Sequence, residues 1–407
     1  MGYVIIGNSA AAIGCVEGIR AVNKTGGITL LSQERFHTYS RPLISYLLEG
    51  KTDLERMKYR PDSFYRDMGV DARLGVTVTA IRPQEHKVVC GTGEEIPYDK
   101  LLVATGSVPF VPAIQGLEEV ERKFTFLSLE DAQALEAALT PESRVFILGA
   151  GLIGLKCAEG IAKRVKSVDI ADLAPQVLPS ILDQAAARRV QAHLERQGLR
   201  FHLGDTAVRF EPGRAFLKSG GTLDFDILVV AVGVRPNVSL VQEAGGQVGK
   251  GIVTDDTGLA TLPDVYAAGD CCESADLATG EHRVLALLPN AYLQGECAGK
   301  NMAGSPARFD QAVAMNAMGL FGLHLITAGS CRGEALVQED GGDYKAFFVE
   351  DGLLKGYILV GDCLENAGVY TALIREQTPL STVDFSLLRQ HPRFAAFSQE
   401  RRREMFA

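Results

Sequence analysis

One plan is written twice in this chain. Tyr3-Val4-Ile5-Ile6 runs into Gly7, and Val145-Phe146-Ile147-Leu148 runs into Gly149, each an apolar strand entering a small-residue turn and then a helix-period segment. Each unit later reaches a matching strand: Asp99-Lys100-Leu101-Leu102-Val103-Ala104-Thr105-Gly106 in the first, Asp226-Ile227-Leu228-Val229-Val230-Ala231-Val232-Gly233 in the second. Apolar runs of this length alternating with helical periodicity specify buried parallel strands joined by crossover helices. The fold class is therefore α/β, with two Rossmann-like dinucleotide-binding units in tandem.

The second turn carries the fuller chemistry. Gly149-Ala150-Gly151-Leu152-Ile153-Gly154 has complete G-x-G-x-x-G spacing, with one glycine to turn the chain, one to admit a pyrophosphate and one for helix–strand packing. Asp172 ends the next strand, Ser167 to Ala171, 23 residues after Gly149, where a carboxylate accepts from ribose hydroxyls. Leu173 follows where an arginine would meet a 2′-phosphate, which favours NADH over NADPH. In the first copy, Gly7-Asn8-Ser9-Ala10-Ala11-Ala12, Ser replaces the middle glycine and Ala the last. Ser still donates to a phosphate. Glu34, 27 residues after Gly7, reads as the matching ribose acceptor or as a solvated loop carboxylate.

A length of 407 residues suggests two to three domains. Pro and Gly around Val108 to Gly116 mark one crossing and Arg235-Pro236-Asn237 a crossing back, so residues 1–112 with 237–305 form one unit and 113–236 another. From 306 to 407 shorter strands, Lys345 to Val349 and Leu353 to Leu359, precede a helix near Ala367 to Glu376, a small α+β domain. Forty-one basic against 50 acidic residues give a net charge of −9, against nucleic acid or an anionic membrane as partner. The longest apolar run, Ile227 to Val234, is too short to span a bilayer, and a strand starting at Tyr3 leaves no room for a leader, which implies the cytoplasm. Eight cysteines lack a C-x-x-C pair or a metal-ligand rhythm.

Thr261 to Asp270 reads as a buried strand ending in Gly269-Asp270 at a helix start, with Asp270 either an acceptor for a flavin's ribityl and phosphate groups or an ordinary helix cap. Gly7 to Ala12, Ala104-Thr105-Gly106, Gly149 to Gly154, Ala231-Val232-Gly233 and Ala267-Ala268-Gly269-Asp270, in this order, resemble the pyridine nucleotide-disulfide oxidoreductase superfamily, over essentially the whole chain. Tyr39-Ser40-Arg41-Pro42-Leu43-Ile44-Ser45 resembles the NADH:rubredoxin reductases and the FAD-binding part of NADH-dependent nitrite reductases. The resemblance implies a glutathione-reductase-like fold. It implies FAD contacts at Gly7, Ser9, Ala10, Ala11, Glu34, Arg35, Arg41, Pro42, Val78, Ala104, Thr105, Gly106, Asp270 and Asn290. NAD contacts are implied at Gly149, Gly151, Leu152, Ile153, Gly154, Asp172, Val232 and Gly233, with Arg41 and Pro42 beside the isoalloxazine.

Departures from the family matter equally. Thiol-using members carry a redox cysteine near the segment that here reads Phe36 to Tyr46, and none lies there. Adjacent Cys271 and Cys272 are either redox-active near the flavin or packed in a helix. Lys156 stands where many relatives carry Glu, and either holds negative charge on reduced flavin or points to solvent. Leu288-Pro289-Asn290-Ala291 precedes an expected helix, Tyr292 to Met302, whose N-terminus would face the flavin. The Arg401-Arg402-Arg403 run is a solvated tail or a docking element.

The expected activity is hydride transfer between NADH and FAD by positioning, with no side chain certain as a catalyst and Lys156 and Arg41, near the flavin, as candidates. Electrons are then exchanged with an iron–sulfur protein or subunit. The rivals are an NADH oxidase, a thiol/disulfide reductase, and a non-catalytic flavin-binding assembly or redox-sensing subunit. The last domain is expected to serve a homodimer or a different subunit.

Overall fold

A computed structural model describes residues 2–398, and the Arg401–Arg403 run lies outside them. The first sheet is parallel and centred on Gly2–Ile6, flanked by Gly27–Ser32 and Lys100–Val103, with Val70–Leu74 and Val265–Ala267 at its edges. The second sheet repeats it. Arg144–Leu148 lies between Ser167–Asp172 and Ile227–Val230, with Leu199–Leu203 and Lys123–Phe124 outermost. The central strands are buried on both faces, as a covered parallel sheet requires: Val145, Phe146, Ile147 and Leu148 are each at most 1% exposed.

The expectation of helical crossovers fails at the same place in both copies. Before Lys100–Val103 and before Ile227–Val230 the chain inserts a three-stranded antiparallel ribbon: Val78–Arg82, Lys87–Cys90 and Glu95–Pro97 in the first unit, Ala207–Glu211, Arg214–Leu217 and Thr222–Asp224 in the second. The turns explain it. Gly91-Thr92-Gly93, Pro212-Gly213 and Gly220-Gly221 break the chain every few residues, too often for a helix, and alternate side chains are buried.

Between the sheets runs a two-stranded link in which Ser107–Pro109 pairs antiparallel with Val234–Pro236. Thr105 Oγ1 donates to the Asn237 carbonyl at 2.7 Å, and Asn237 N to the Gly106 carbonyl at 2.9 Å. The last unit is a five-stranded antiparallel sheet in the order Met315–Leu320, Leu323–Gly329, Leu353–Val360, Asp343–Glu350, Glu334–Asp340. The Ala367–Arg375 helix packs on it through Tyr370 and Leu373, against Phe347 and Tyr357.

Helices Ala10–Val22 and Leu288–Met302 meet backbone to backbone. A Cβ at Gly14 would lie 2.2 Å from the Tyr292 oxygen, at Gly18 2.3 Å from that of Glu296, and at Gly295 1.9 Å from that of Ala11. Glycine is required at each. The second of these helices starts four residues earlier than expected, because Pro289 sits in its first turn, where a missing N–H costs nothing. No helix among the described residues is long and apolar enough to cross a membrane.

Candidate functional site

A cleft of about 640 Å³ opens at the carboxyl ends of the first sheet's strands, within the range of ligand pockets. Its lining gathers Gly7, Ser9, Ala10, Ala11, Glu34, Arg41, Val78, Ala104, Thr105, Gly106 and Asp270 from separated stretches of sequence. Three other expected contacts are not in its wall. Arg35 and Pro42 are exposed elsewhere, and Asn290 is buried with its amide donating to the Val313 carbonyl at 3.1 Å.

Two of the longer helices start with a side-chain cap. Leu129–Ala138 carries a full capping box from Ser128 and Asp131, and Gln184–Arg196 is capped by Asp183. By contrast, Ala10–Val22 begins after Ser9, Leu152–Ile161 after Gly151, and Leu288–Met302 after Leu287, and no side chain caps any of the three. Their first-turn amides are donors in want of an acceptor, and an anionic ligand supplies one. The glycine turns leave room for it. Gly7 (φ +126°) turns tightly over the Ala104 carbonyl, and Gly149 (φ +112°) over that of Ala231. A Cβ on Gly154 would lie 2.0 Å from the Gly149 oxygen, whereas one on Gly151 would meet nothing within 4 Å. The open face at Gly151 is the approach a pyrophosphate needs. These residues fit two dinucleotides.

Around the second turn, Asp172 accepts from Ala150 N at 2.7 Å and from Ala174 N at 2.8 Å, so its carboxylate is held in place. Leu152, Val232 and Leu173 are exposed, Leu173 to 64%. Ile153 packs on the core below and Gly233 is left-handed with open space above.

In the cleft, Glu34 is ion-paired to Arg41 and accepts from the Tyr39 hydroxyl at 2.7 Å. That hydroxyl also accepts from Leu129 N at 2.9 Å. Asp270 is pushed upward in pKa by burial, which the nearby Arg41 guanidinium and a Ser107 hydrogen bond oppose. No helix follows Asp270, contrary to expectation. The backbone beyond it is taken by Ile252, whose N donates to the Cys271 carbonyl at 2.8 Å and whose carbonyl accepts from Glu273 N at 3.0 Å.

Cys271 and Cys272 are therefore not helix-packed, but both are buried in the core beside the first sheet. Burial pushes both thiols up, and neither lines the cleft. Cys15, on the first helix, is wholly buried. Lys156 adopts neither expected arrangement. Its ammonium is ion-paired with buried Glu159, donates to the Gly319 carbonyl at 3.2 Å and lies 4.3 Å from the Tyr46 ring centre. Glu159 also accepts from Phe321 N at 2.6 Å, so the pair ties the second unit's helix to the last sheet. Sequence reasoning passed over Glu159, Tyr39 and the Leu129 amide. Lys156 and Glu159 at i, i+3 on one helix were a visible signal; the Tyr39–Leu129 contact had none.

A family model described as pyridine nucleotide-disulphide oxidoreductase matches residues 1–295. The chain is 32% identical to the NADH-dependent phenylglyoxylate dehydrogenase subunit epsilon of Aromatoleum evansii, over 93% of this chain and 92% of that one. It is 34% identical to an NADH oxidase of Methanocaldococcus jannaschii, over 76% of this chain and 71% of the other. A rubredoxin-NAD(+) reductase of Pseudomonas putida is 30% identical over 75% of this chain and 80% of its own length. Together with two glycine turns and two sheets of one plan, these likenesses show that the chain belongs to the pyridine nucleotide-disulphide oxidoreductase family, as an FAD-dependent NADH oxidoreductase.

Proposed function

We propose that the cleft of the first unit (residues 1–112 with 237–305) holds FAD, and that the second unit (113–236) holds NADH on Gly149 to Gly154. Electrons are exchanged with an iron–sulfur protein or subunit. Bound flavin supplies the step from a two-electron hydride donor to a one-electron carrier. The observation that carries the reading is a cleft entered by uncapped helix starts and lined by no cysteine, so the electrons have no thiol relay.

The chain's own part is binding and orientation. The Ser9, Ala10 and Ala11 amides and the Ser9 hydroxyl would take a pyrophosphate, and Glu34 would receive the adenosine ribose. Asp270, beside Thr105 and Gly106, would meet the ribityl chain. The start of Leu288–Met302, whose Leu288 and Ala291 line the cleft, would stabilise negative charge on the reduced ring. Asp172 would take the second ribose, and Leu173 leaves no cation there for a 2′-phosphate. Residues 306–407 would present the surface for a second copy or a different subunit, in the cytoplasm.

Anaerobic stopped-flow absorbance of the holoprotein tests this. NADH is expected to bleach the flavin rapidly, NADPH slowly, and oxidised rubredoxin or ferredoxin to restore the colour. Bleaching reversed by dioxygen alone would move the assignment to an oxidase, the activity named for the Methanocaldococcus relative.

A further inference from the structure

We propose that Tyr39 is a positioning residue for the cofactor cleft: its hydroxyl orients the Glu34 carboxylate toward the ribose and joins that carboxylate to the start of the Leu129–Ala138 helix. The proposal rests on FAD occupying the cleft.

A phenol has one proton to give and two lone pairs to fill. At Tyr39 the acceptor side is taken by Leu129 N at 2.9 Å and by Arg41 Nη1 at 3.3 Å. The single proton therefore goes to Glu34 Oε2, 2.7 Å away. The direction is forced, because neither an amide nor a guanidinium accepts. Glu34 is thus held from both sides, by Tyr39 on Oε2 and Arg41 on Oε1, and each oxygen keeps a lone pair for a ribose hydroxyl. Burial raises the Tyr39 pKa, so the proton stays on the phenol at working pH.

The other end of the arrangement matters equally. Ser128 caps the Asp131 amide and leaves Leu129 N to be satisfied from outside the helix. Tyr39 does this although it comes from the first unit's loop, and its ring is buried in the second sheet's core with Ile44, Leu48 and Leu129. Arg41 adds a second thread, donating to the Leu127 carbonyl at 3.4 Å. Whatever fixes Glu34 in the cleft therefore steadies the start of a helix that packs against the second sheet. FAD binding is coupled to the Leu129 amide through the Tyr39 hydroxyl, with Arg41 as a second path to the Leu127 carbonyl.

The test is a double-mutant cycle on FAD affinity of the deflavinated full chain, with Tyr39→Phe and Glu34→Gln, alongside hydrogen exchange at the Leu129 amide. Tyr39→Phe keeps the ring and is expected to weaken FAD about tenfold. The double variant is expected to bind within about twofold of the weaker single one, since both remove the same arrangement. FAD should slow exchange of the Leu129 amide in the parent and no longer do so in Tyr39→Phe, while the Ser128-capped Asp131 amide keeps its protection. Wild-type FAD affinity in Tyr39→Phe, or losses that multiply in the double variant, would overturn the role of Tyr39. Unchanged FAD binding in Glu34→Gln would instead overturn the placing of FAD against Glu34, and the proposal with it.

Discussion

Asp172 Oδ2 accepts the Ala150 N–H at 2.7 Å, fastening the middle of the second glycine turn to the end of the neighbouring strand. The carboxylate therefore shapes the turn as well as being the proposed ribose acceptor. Replacing it removes two backbone hydrogen bonds and one ligand acceptor at once. Asp172→Ala is expected to weaken NADH binding roughly 50-fold, each lost charged hydrogen bond counting for more than a neutral one. Flavin content should stay at the parent level. Loss of FAD with retained NADH affinity, measured by titration, would show that the two sites had been exchanged.

Burial holds the Cys271 and Cys272 thiols protonated at neutral pH, and thiolate is the reactive form. Iodoacetamide at pH 7.5 should leave both unmodified in the folded holoprotein, as mass spectrometry would report. The double variant Cys271→Ala, Cys272→Ala is expected to reduce its flavin with NADH within about twofold of the parent rate. A collapse of that rate with flavin retained would return thiol chemistry to the reaction.

Lys156 and Glu159 are buried together, their side chains 14% and 4% exposed. Removing one partner strands the other charge, so Lys156→Met is expected to cost about 3 kcal/mol in urea unfolding. Glu159→Gln should behave likewise. The rate of flavin reduction per bound flavin should change little in either, because the pair is turned toward Gly319 and Phe321 rather than the cleft. A large rate loss in folded Lys156→Met would bring its ammonium into the chemistry.

The Arg144 guanidinium and backbone N–H lower the Asp226 pKa to about 2. A folded-state value below the unfolded one means that the stabilisation is present above about pH 4 and is lost as pH falls through about 2. The pair is partly solvated, so its share is about 1 kcal/mol after screening. Asp226→Asn should flatten that part of the acid limb in a pH series of unfolding midpoints. An unchanged acid limb would remove Asp226 from the account.

The parts legible in sequence were those whose cause is local. Gly149 to Gly154 announces its turn because each glycine answers a nearby atom, and the strand at Val145 to Leu148 shows because burial on both faces leaves an unbroken apolar run. Asp270 misled because strand-Gly-Asp is also the pattern of a helix cap, and what decides against a helix is a bridge to Ile252, distant in sequence. Tyr39 was invisible in its role for the same reason, since its partner Leu129 lies 90 residues on. The antiparallel ribbons before Lys100 and Ile227 were readable from their glycines, but the repeated α/β rhythm overrode them.

The seam between Gly14 and Gly295 also bears on the order in which the molecule can be made. The second sheet closes within residues 123–230, whereas the first waits for Val265–Ala267 and then for the Leu288–Met302 helix to settle against Ala10–Val22. A chain emerging from the ribosome therefore completes the second sheet before the first. Gly2–Ile6, synthesised before those partners, is thus among the last of these strands to gain its full surroundings.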